Sequence, residues 1–231
     1  MKTYAIVIKD NNISQNGFHA LVASSKGVGN GFQIDRFDAV VPSQVDSLLK
    51  AKKLIWNYPD VGSILDPWTE LRKSAYGGRD PKKRVGCALS HFLLWESCVE
   101  TNEPILVLEH DSVFVRKFDP TSILDSSFGI VGINSPIQAT FAFDRYDQMV
   151  QQRKEEIQPV PMLASKEVPQ GLPGNSAYVI KPHAAKHLID LCYKYGLWPN
   201  DAIMCQQLCN FLGVSKTYYT RVQGLKSTTT L

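Results

Sequence analysis

The 231-residue sequence contains no apolar run long enough to cross a membrane: its longest, Ile105 to Leu108 and Phe128 to Ile133, fall far short of the roughly 20 residues a span requires. A secretory leader is not expected either, because the stretch Tyr4 to Ile8 is only five residues long before Lys9 and Asp10 restore charge. Cysteine is sparse. Five thiols with no Cys-x-x-Cys pair give neither a disulfide framework nor a standard zinc site, and they point to a reducing, cytoplasmic setting. Net charge is nearly absent as well. With 25 Lys plus Arg against 22 Asp plus Glu, the balance of +3 does not announce a nucleic-acid binder and argues only mildly for anionic ligands. No heptad is sustained, which excludes a coiled coil, and no internal repeat is visible. What is present, 44% apolar residues and 10% aromatics in a chain of this length, is enough for one substantial core.

Strands and helices alternate along the chain. The β-branched run Tyr4 to Ile8 predicts a strand, followed by a helix over 13–22; Phe32 to Val41 predicts a second strand, and Ser43 is the expected cap of a helix carrying Val45, Leu48, Leu49 and Leu54. Residues 56–83, broken by prolines and glycines, predict a long loop. From Arg84 to Glu100, Val85, Leu89, Phe92 and Val99 form a core stripe while Arg84, Cys87 and His91 line the neighbouring face. Ile105 to Leu108 predicts a central strand covered on both sides, and Phe128 to Ile133 another. Residues 134–173 read as a long loop or lid with one amphipathic helix near 146–157. A strand over 176–180, a helix from Pro182 to Tyr195, a helix from Asn200 to Leu212 and a last strand over 218–222 complete the pattern. The expected fold is therefore one α/β domain spanning 1–231, built on a mainly parallel sheet with helices on both faces and a ligand site beyond the strands' carboxyl ends.

The sharpest chemical signal is Glu109-His110-Asp111 at the end of the most hydrophobic strand. In extended backbone, residues two apart share a side, so Glu109 and Asp111 would face one ligand while His110 points away. Two hard carboxylates suit Mg²⁺ or Mn²⁺, which keep waters and take up substrate phosphates. An acidic pair that merely ends a strand at solvent is the plain alternative. A basic group, Arg72, Lys73, Arg79, Lys82, Lys83 and Arg84, could close over a diphosphate; for most of the six a solvated loop is the simpler account, and Arg84 stands apart because it shares a helix face with His91. Ser90-His91 does not make a nucleophile and base, since neighbours on a helix diverge by about 100°. Cys205 and Cys209 lack a nearby histidine or second pair and read as core residues.

The run Arg84-Val85-Gly86-Cys87-Ala88-Leu89-Ser90-His91, followed by Ile105 to Val113, resembles the central signature of glycosyltransferase family 25. Ile34 to Val40 is similar to that family's early segment, and Gly174 to Ile180, Ala184-Ala185 and Pro199-Asn200-Asp201 are similar to its later ones. The matches keep their order across about four-fifths of the chain. The resemblance implies a GT-A-like nucleotide-sugar fold, a divalent metal, a UDP-linked donor and inversion at the anomeric carbon. It implies metal ligation by Asp111 and Glu109, donor binding by Asp38, Arg84, Ser90, His91 and Glu109, and a catalytic base at Asp201. Asp in a helix's first turn otherwise simply complements the dipole. Trp198, Phe141, Phe143 and Tyr146 are candidates to stack on an acceptor sugar. The family usually reads Glu-Asp-Asp where this chain has Glu109-His110-Asp111, and imidazole is a poorer ligand for Mg²⁺ than for Mn²⁺.

The expected activity is metal-dependent transfer of galactose or glucose from a nucleotide sugar to a glycan or glycolipid hydroxyl. A non-catalytic nucleotide-sugar binding module is the alternative, and a nucleic-acid binder using the basic loop is the remote one.

Overall fold

The computed structural model describes residues 1–78, 80–140, 142–226 and 228. Its centre is a seven-stranded sheet formed by β1 (Lys2–Val7), β2 (Asp35–Asp38), β5 (Ile105–Glu109), β7 (Ile130–Gly132), β8 (Ile157–Pro159), β9 (Ala177–Ile180) and β10 (Leu212–Ser215), in the order β2-β1-β5-β9-β7-β10-β8. β9 and β8 run against the other five, so the sheet is mainly parallel, as the alternation of elements predicts. Two small antiparallel pairs lie outside it: β3 (Ser63–Leu65) with β4 (Arg72–Ser74), and β6 (Ser112–Phe114) with β11 (Thr220–Val222).

Side-chain alternation divides the core in two. Ile105, Val107, Tyr178 and Ile180 point to one face, where α3 (Pro81–Thr101) packs with α2 (Pro42–Lys52) and α6 (Pro182–Tyr195). Leu106, Leu108, Ala177 and Val179 point to the other, against Leu21 of α1 (Asn12–Gly27) and Ile123 of α4 (Thr121–Asp125). Strands buried on both faces carry apolar residues at every position, which is why Ile105 to Leu108 is unbroken. α3 ends at Asn102 in the left-handed conformation, and α2 at Lys53 likewise.

Several expectations are corrected. Ser43 does not cap α2; the helix starts at Pro42, and the free N–H of Val41 donates to the Gln44 side chain at 3.0 Å. The 56–83 stretch holds the β3–β4 hairpin. The 134–173 stretch holds α5 (Phe143–Gln152) and the edge strand β8. No helix runs from Asn200 to Leu212: α7 covers only Asn200–Ile203, the Gln206 amide turns away to bond Gln170 O at 2.8 Å, and Leu212 to Ser215 enter the sheet as β10 between β7 and β8. Pairing in a fully buried sheet position there outweighs the local apolar periodicity.

One consequence of topology sets up the site. β9 is antiparallel to β5, with Leu108 opposite Ala177, so the amino end of β9 lies beside the carboxyl end of β5. Residues 174–176 therefore stand next to Glu109, whose amide donates to Ser176 O at 2.8 Å.

Candidate active site

β5 ends at Glu109, and His110 and Asp111 form a turn that is closed by the Ser112 hydroxyl donating to Glu109 O at 2.9 Å. The extended geometry that would set Glu109 and Asp111 on one side is thus absent; the turn, not the pleat, brings their charges together. Three features hold it. The His110 amide donates to Ile6 O at 3.2 Å. Gly17 on α1 has no side chain, and a Cβ there would lie 2.6 Å from His110 O. The Gln223 side-chain amide donates to Gly17 O, His110 O and Ser112 O at 2.9 to 3.0 Å, while its main-chain N–H donates to Asp111 O at 2.7 Å. No sequence signal points to Gln223, which lies more than a hundred residues away.

Glu109 is fixed from the α3 side. His91, wholly buried, places Nε2 3.0 Å from Glu109 Oε1 and Nδ1 2.8 Å from the Tyr178 hydroxyl, which also accepts from Trp95 Nε1 at 3.0 Å. Donors and acceptors assign the tautomer. Trp95 can only donate, so the Tyr178 hydrogen goes to His91 Nδ1, and the ring carries its proton on Nε2, toward the carboxylate. Burial alone would raise the Glu109 carboxyl; the His91 hydrogen bond and the electrostatic influence of His91 and His110 together outweigh it and hold the group below its ordinary range.

Asp111 and Asp201 have no such partner. Asp111 is pushed up to about 7, first by burial and then by the negative charge of Glu109, with Ser176 opposing and Asp201 adding. Its Oδ1 is buried without a hydrogen-bond partner among the described residues. Asp201, in the first turn of α7, is pushed up to about 6, again by burial and then Glu109, against His91 and Arg84. Its side chain is open to water yet walled by protein, as on the floor of a cleft. Three carboxyl groups thus share one electrostatic locus. A divalent cation would satisfy the orphan oxygen of Asp111 and relieve its repulsion with Glu109.

Arg84 reaches this locus from α3, stacked over Tyr76 at 4.3 Å and donating to Gly77 O at 3.3 Å. Ser90 is buried and structural, donating to Gly86 O at 2.8 Å and accepting from Val40 N–H at 2.9 Å. The same close approach requires Gly86, where a Cβ would meet Val40 O at 2.5 Å. Asp38 is exposed at the end of β2 and paired with Arg36 at 2.7 Å, in a shallow groove with Lys9, Asp10 and Gln15. It does not join the carboxylate locus.

Two cavities flank the carboxylates. One, of about 160 Å³, lies at the ends of β1, β2 and β5 and is lined mainly by Ile6, Ile8, Val40 and Val41 with Cys87, Glu109 and His110. The other, of about 530 Å³, is lined by Tyr76, Phe143, Leu172, Gly174 and Asp201.

Of the basic group, Lys83 lines the smaller cavity and Arg84 reaches the carboxylates, while three others are engaged elsewhere. Lys73 is wholly buried, paired with Asp66, donating to Asn57 O at 2.9 Å and lying over Trp198. Arg72 pairs with Glu167 and Lys82 with Asp46. Arg79 lies outside the described residues. Trp198 cannot stack on a sugar, because its ring is completely buried against Tyr58 and Lys73; Tyr146 is likewise in the core. Phe143 does face the larger cavity, and Phe141 lies outside the described residues. Cys205 and Cys209 are core residues.

The ancestry of the chain says what class of protein carries these features. The model of glycosyltransferase family 25 (LPS biosynthesis protein) matches residues 12–204, well over half of the chain, and the protein belongs to that family of glycosyltransferases. Among solved structures, the chain is similar to the galactosyltransferase LgtC in complex with donor and acceptor sugar analogues, at 8% identity and a TM-score of 0.41 over 93% of this chain and 73% of that one. It is similar also to the glycosyltransferase GlyE of Streptococcus pneumoniae TIGR4, at 10% identity and a TM-score of 0.39 over 93% and 45% of the two chains. Mouse xyloside xylosyltransferase 1 shows 12% identity and a TM-score of 0.39 over 90% and 79%. A search of curated protein sequences finds no match. No helix among the described residues is long and apolar enough to cross a membrane.

Proposed function

We propose that this glycosyltransferase moves galactose or glucose, with inversion, from a UDP-linked donor to a hydroxyl of a glycan or glycolipid, and that it needs Mn²⁺ or Mg²⁺ held by Asp111 and Glu109. The observation that carries the reading is the orphaned, buried oxygen of Asp111 beside two further carboxyl groups at the carboxyl edge of the sheet. A bound divalent ion would supply charge stabilisation to the departing diphosphate.

The protein's own groups do the rest. The apolar cavity at the ends of β1 and β2 takes the nucleoside. Arg84, held rigid by its stack on Tyr76, contributes positive charge near the leaving group, where that charge matters most in the transition state. His91 and Ser90 are assigned supporting roles, the first aiming Glu109 and the second fixing α3 to the loop after β2. Asp38 is an outer contact to the donor at the end of β2. Asp201, on the wall of the larger cavity, takes the proton from the acceptor hydroxyl on the side away from the nucleoside, as inversion requires. Its raised proton affinity makes it a stronger base than an ordinary aspartate. One domain spanning the chain is part of this reading, and five free thiols, four of them buried, suit a reducing cytoplasm.

Purified protein should turn over a UDP-hexose in the presence of Mn²⁺, and chelation with EDTA should stop it reversibly. Asp111→Asn should abolish transfer with an unchanged circular dichroism spectrum. Turnover that survives excess EDTA would refute the metal assignment.

A further inference from the structure

Cys87 has no part in the proposed transfer, yet it faces the same cavity. It sits four residues before His91 on α3, so both side chains point to the end of β5. One ligand atom from each of Cys87, His91 and Glu109 falls within 4.8 Å of the others. The His91 Nε2 to Glu109 Oε1 separation of 3.0 Å is a few tenths of an ångström short of the roughly 3.3 Å between two atoms bound to one tetrahedral ion at bond lengths of about 2.0 Å. Tyr178 grips His91 Nδ1 at 2.8 Å, the second contact that metal-binding histidines depend on for orientation. The 160 Å³ cavity, lined by Cys87 and Glu109, gives an ion a way in.

We propose that Cys87, His91 and Glu109 form a second metal site, for a thiophilic ion such as Zn²⁺, and that filling it shuts the enzyme by taking Glu109 away from the carboxylate locus. The two sites differ in ligand chemistry. Asp111 with Glu109 offers oxygen only and suits Mg²⁺ or Mn²⁺; sulfur and imidazole nitrogen select Zn²⁺. On binding, the Cys87 S–H bond breaks and its proton leaves to solvent. The His91 ring proton moves from Nε2 to Nδ1, where the Tyr178 oxygen accepts it as the tyrosine hydrogen rotates off the ring. Bonds form from the ion to sulfur, nitrogen and oxygen, with no change of oxidation state and one proton released per ion. Water completes the coordination.

The inhibition, though not the binding, rests on the transferase reading, and the experiment separates them. Co²⁺ added to the purified protein should produce the near-ultraviolet thiolate-to-cobalt charge-transfer band, and Zn²⁺ should bleach it. Cys87→Ala should lose the band at an unchanged melting temperature; Cys87→Ser serves as the second variant if the first is destabilised. A missing band at saturating Co²⁺, or one that persists in both variants, overturns the site. In transfer assays with excess Mn²⁺, Zn²⁺ should inhibit the wild type at least about tenfold more strongly than Cys87→Ala, each measured against its own zinc-free rate. Equal sensitivity overturns the inhibitory role. A protein without any transfer activity overturns that role too, and the cobalt band then decides the site alone.

Discussion

His91 Nε2 donates to Glu109 Oε1 across 3.0 Å, and the direction of that bond is set on the far side of the ring by Tyr178, whose hydroxyl is itself oriented by Trp95. Tyr178→Phe removes the middle of this relay. It leaves the buried Trp95 N–H and His91 Nδ1 unpaired, at a cost of about 1 to 3 kcal/mol for each orphaned group. It also frees the ring to carry its proton on Nδ1, which would turn a lone pair toward the carboxylate. Urea unfolding should show a loss of about 2 kcal/mol or more, with a fall in kcat. Trp95→Phe should cost less, because the Tyr178 to His91 bond survives. A Tyr178→Phe protein as stable and active as the wild type would show that the relay has no energetic weight.

Asp111 is costly to the metal-free fold, and the sign of its pH dependence follows. Its folded-state pKa of about 7 exceeds the unfolded value near 4, so the folded state binds the extra proton between those limits. Stability should therefore fall as pH rises from about 4 to about 7 and stay low above it. Asp111→Asn, neutral throughout, should be more stable than the wild type by roughly 1 to 2 kcal/mol at about pH 8 without metal, and no more stable at about pH 4. Saturating Mn²⁺ should stabilise the wild type alone. Calorimetric melts with EDTA and with Mn²⁺ test both statements; a variant less stable than wild type at high pH without metal would contradict them.

The sequence makes some of this geometry legible and hides the rest. Ile105 to Leu108 announces a strand covered on both faces because every position is buried there, and the stripe on α3 announces which side carries Cys87 and His91. Proximity of Glu109 to Asp111 is expected from strand alternation, but it arises from a turn that depends on Gly17 and Gln223, both remote in sequence. Tyr178 lies in a run that reads only as a buried strand, so its role toward His91 emerges from the pairing of β9 with β5. Among the three-residue strands, β3, β4, β6 and β8 have no longer apolar run around them to announce a strand. Lys73 reads from the sequence as one cation of a solvated loop and Trp198 as a candidate platform for a sugar, whereas each provides the other's covering.

Asp201 should separate chemistry from binding. If it accepts the acceptor's proton, Asp201→Asn should lower kcat by about 10² to 10⁴ while leaving UDP-hexose affinity within a few-fold of the wild type. The acid limb of the wild-type rate profile should rise through about 6, the proton affinity burial and Glu109 give this group, and should be missing from the residual activity of the variant. A kcat reduced only a few-fold would move the base elsewhere.

Lys73 and Asp66 form a covered ion pair at the foot of the β3–β4 hairpin, where Asp66 Oδ1 also accepts from the amides of Trp68 and Thr69 at 3.1 and 3.0 Å. Burial would by itself raise the Asp66 carboxyl, but Lys73 and the Thr69 contacts hold it below its ordinary range. The pair's stabilisation is therefore present at neutral pH and is lost only as pH falls below about 4, through the depressed folded-state value. Lys73→Met strands the carboxylate and should cost about 3 to 5 kcal/mol near pH 7. With the cation gone, burial is opposed only by the Thr69 contacts, so the carboxyl moves up from its wild-type position and the variant's deficit against the wild type should narrow as pH falls from about 7 to about 5, a range in which the wild type gains nothing from this pair. Asp66→Asn keeps the Oδ1 acceptor for the hairpin amides without the charge. Combined with Lys73→Met it should recover most of the loss, because an unpaired buried charge, and not the missing attraction, accounts for the larger part of the single-variant cost. Chemical denaturation of the three variants at the two pH values decides it: a double variant no more stable than Lys73→Met alone would place the cost in lost packing against Trp198 instead.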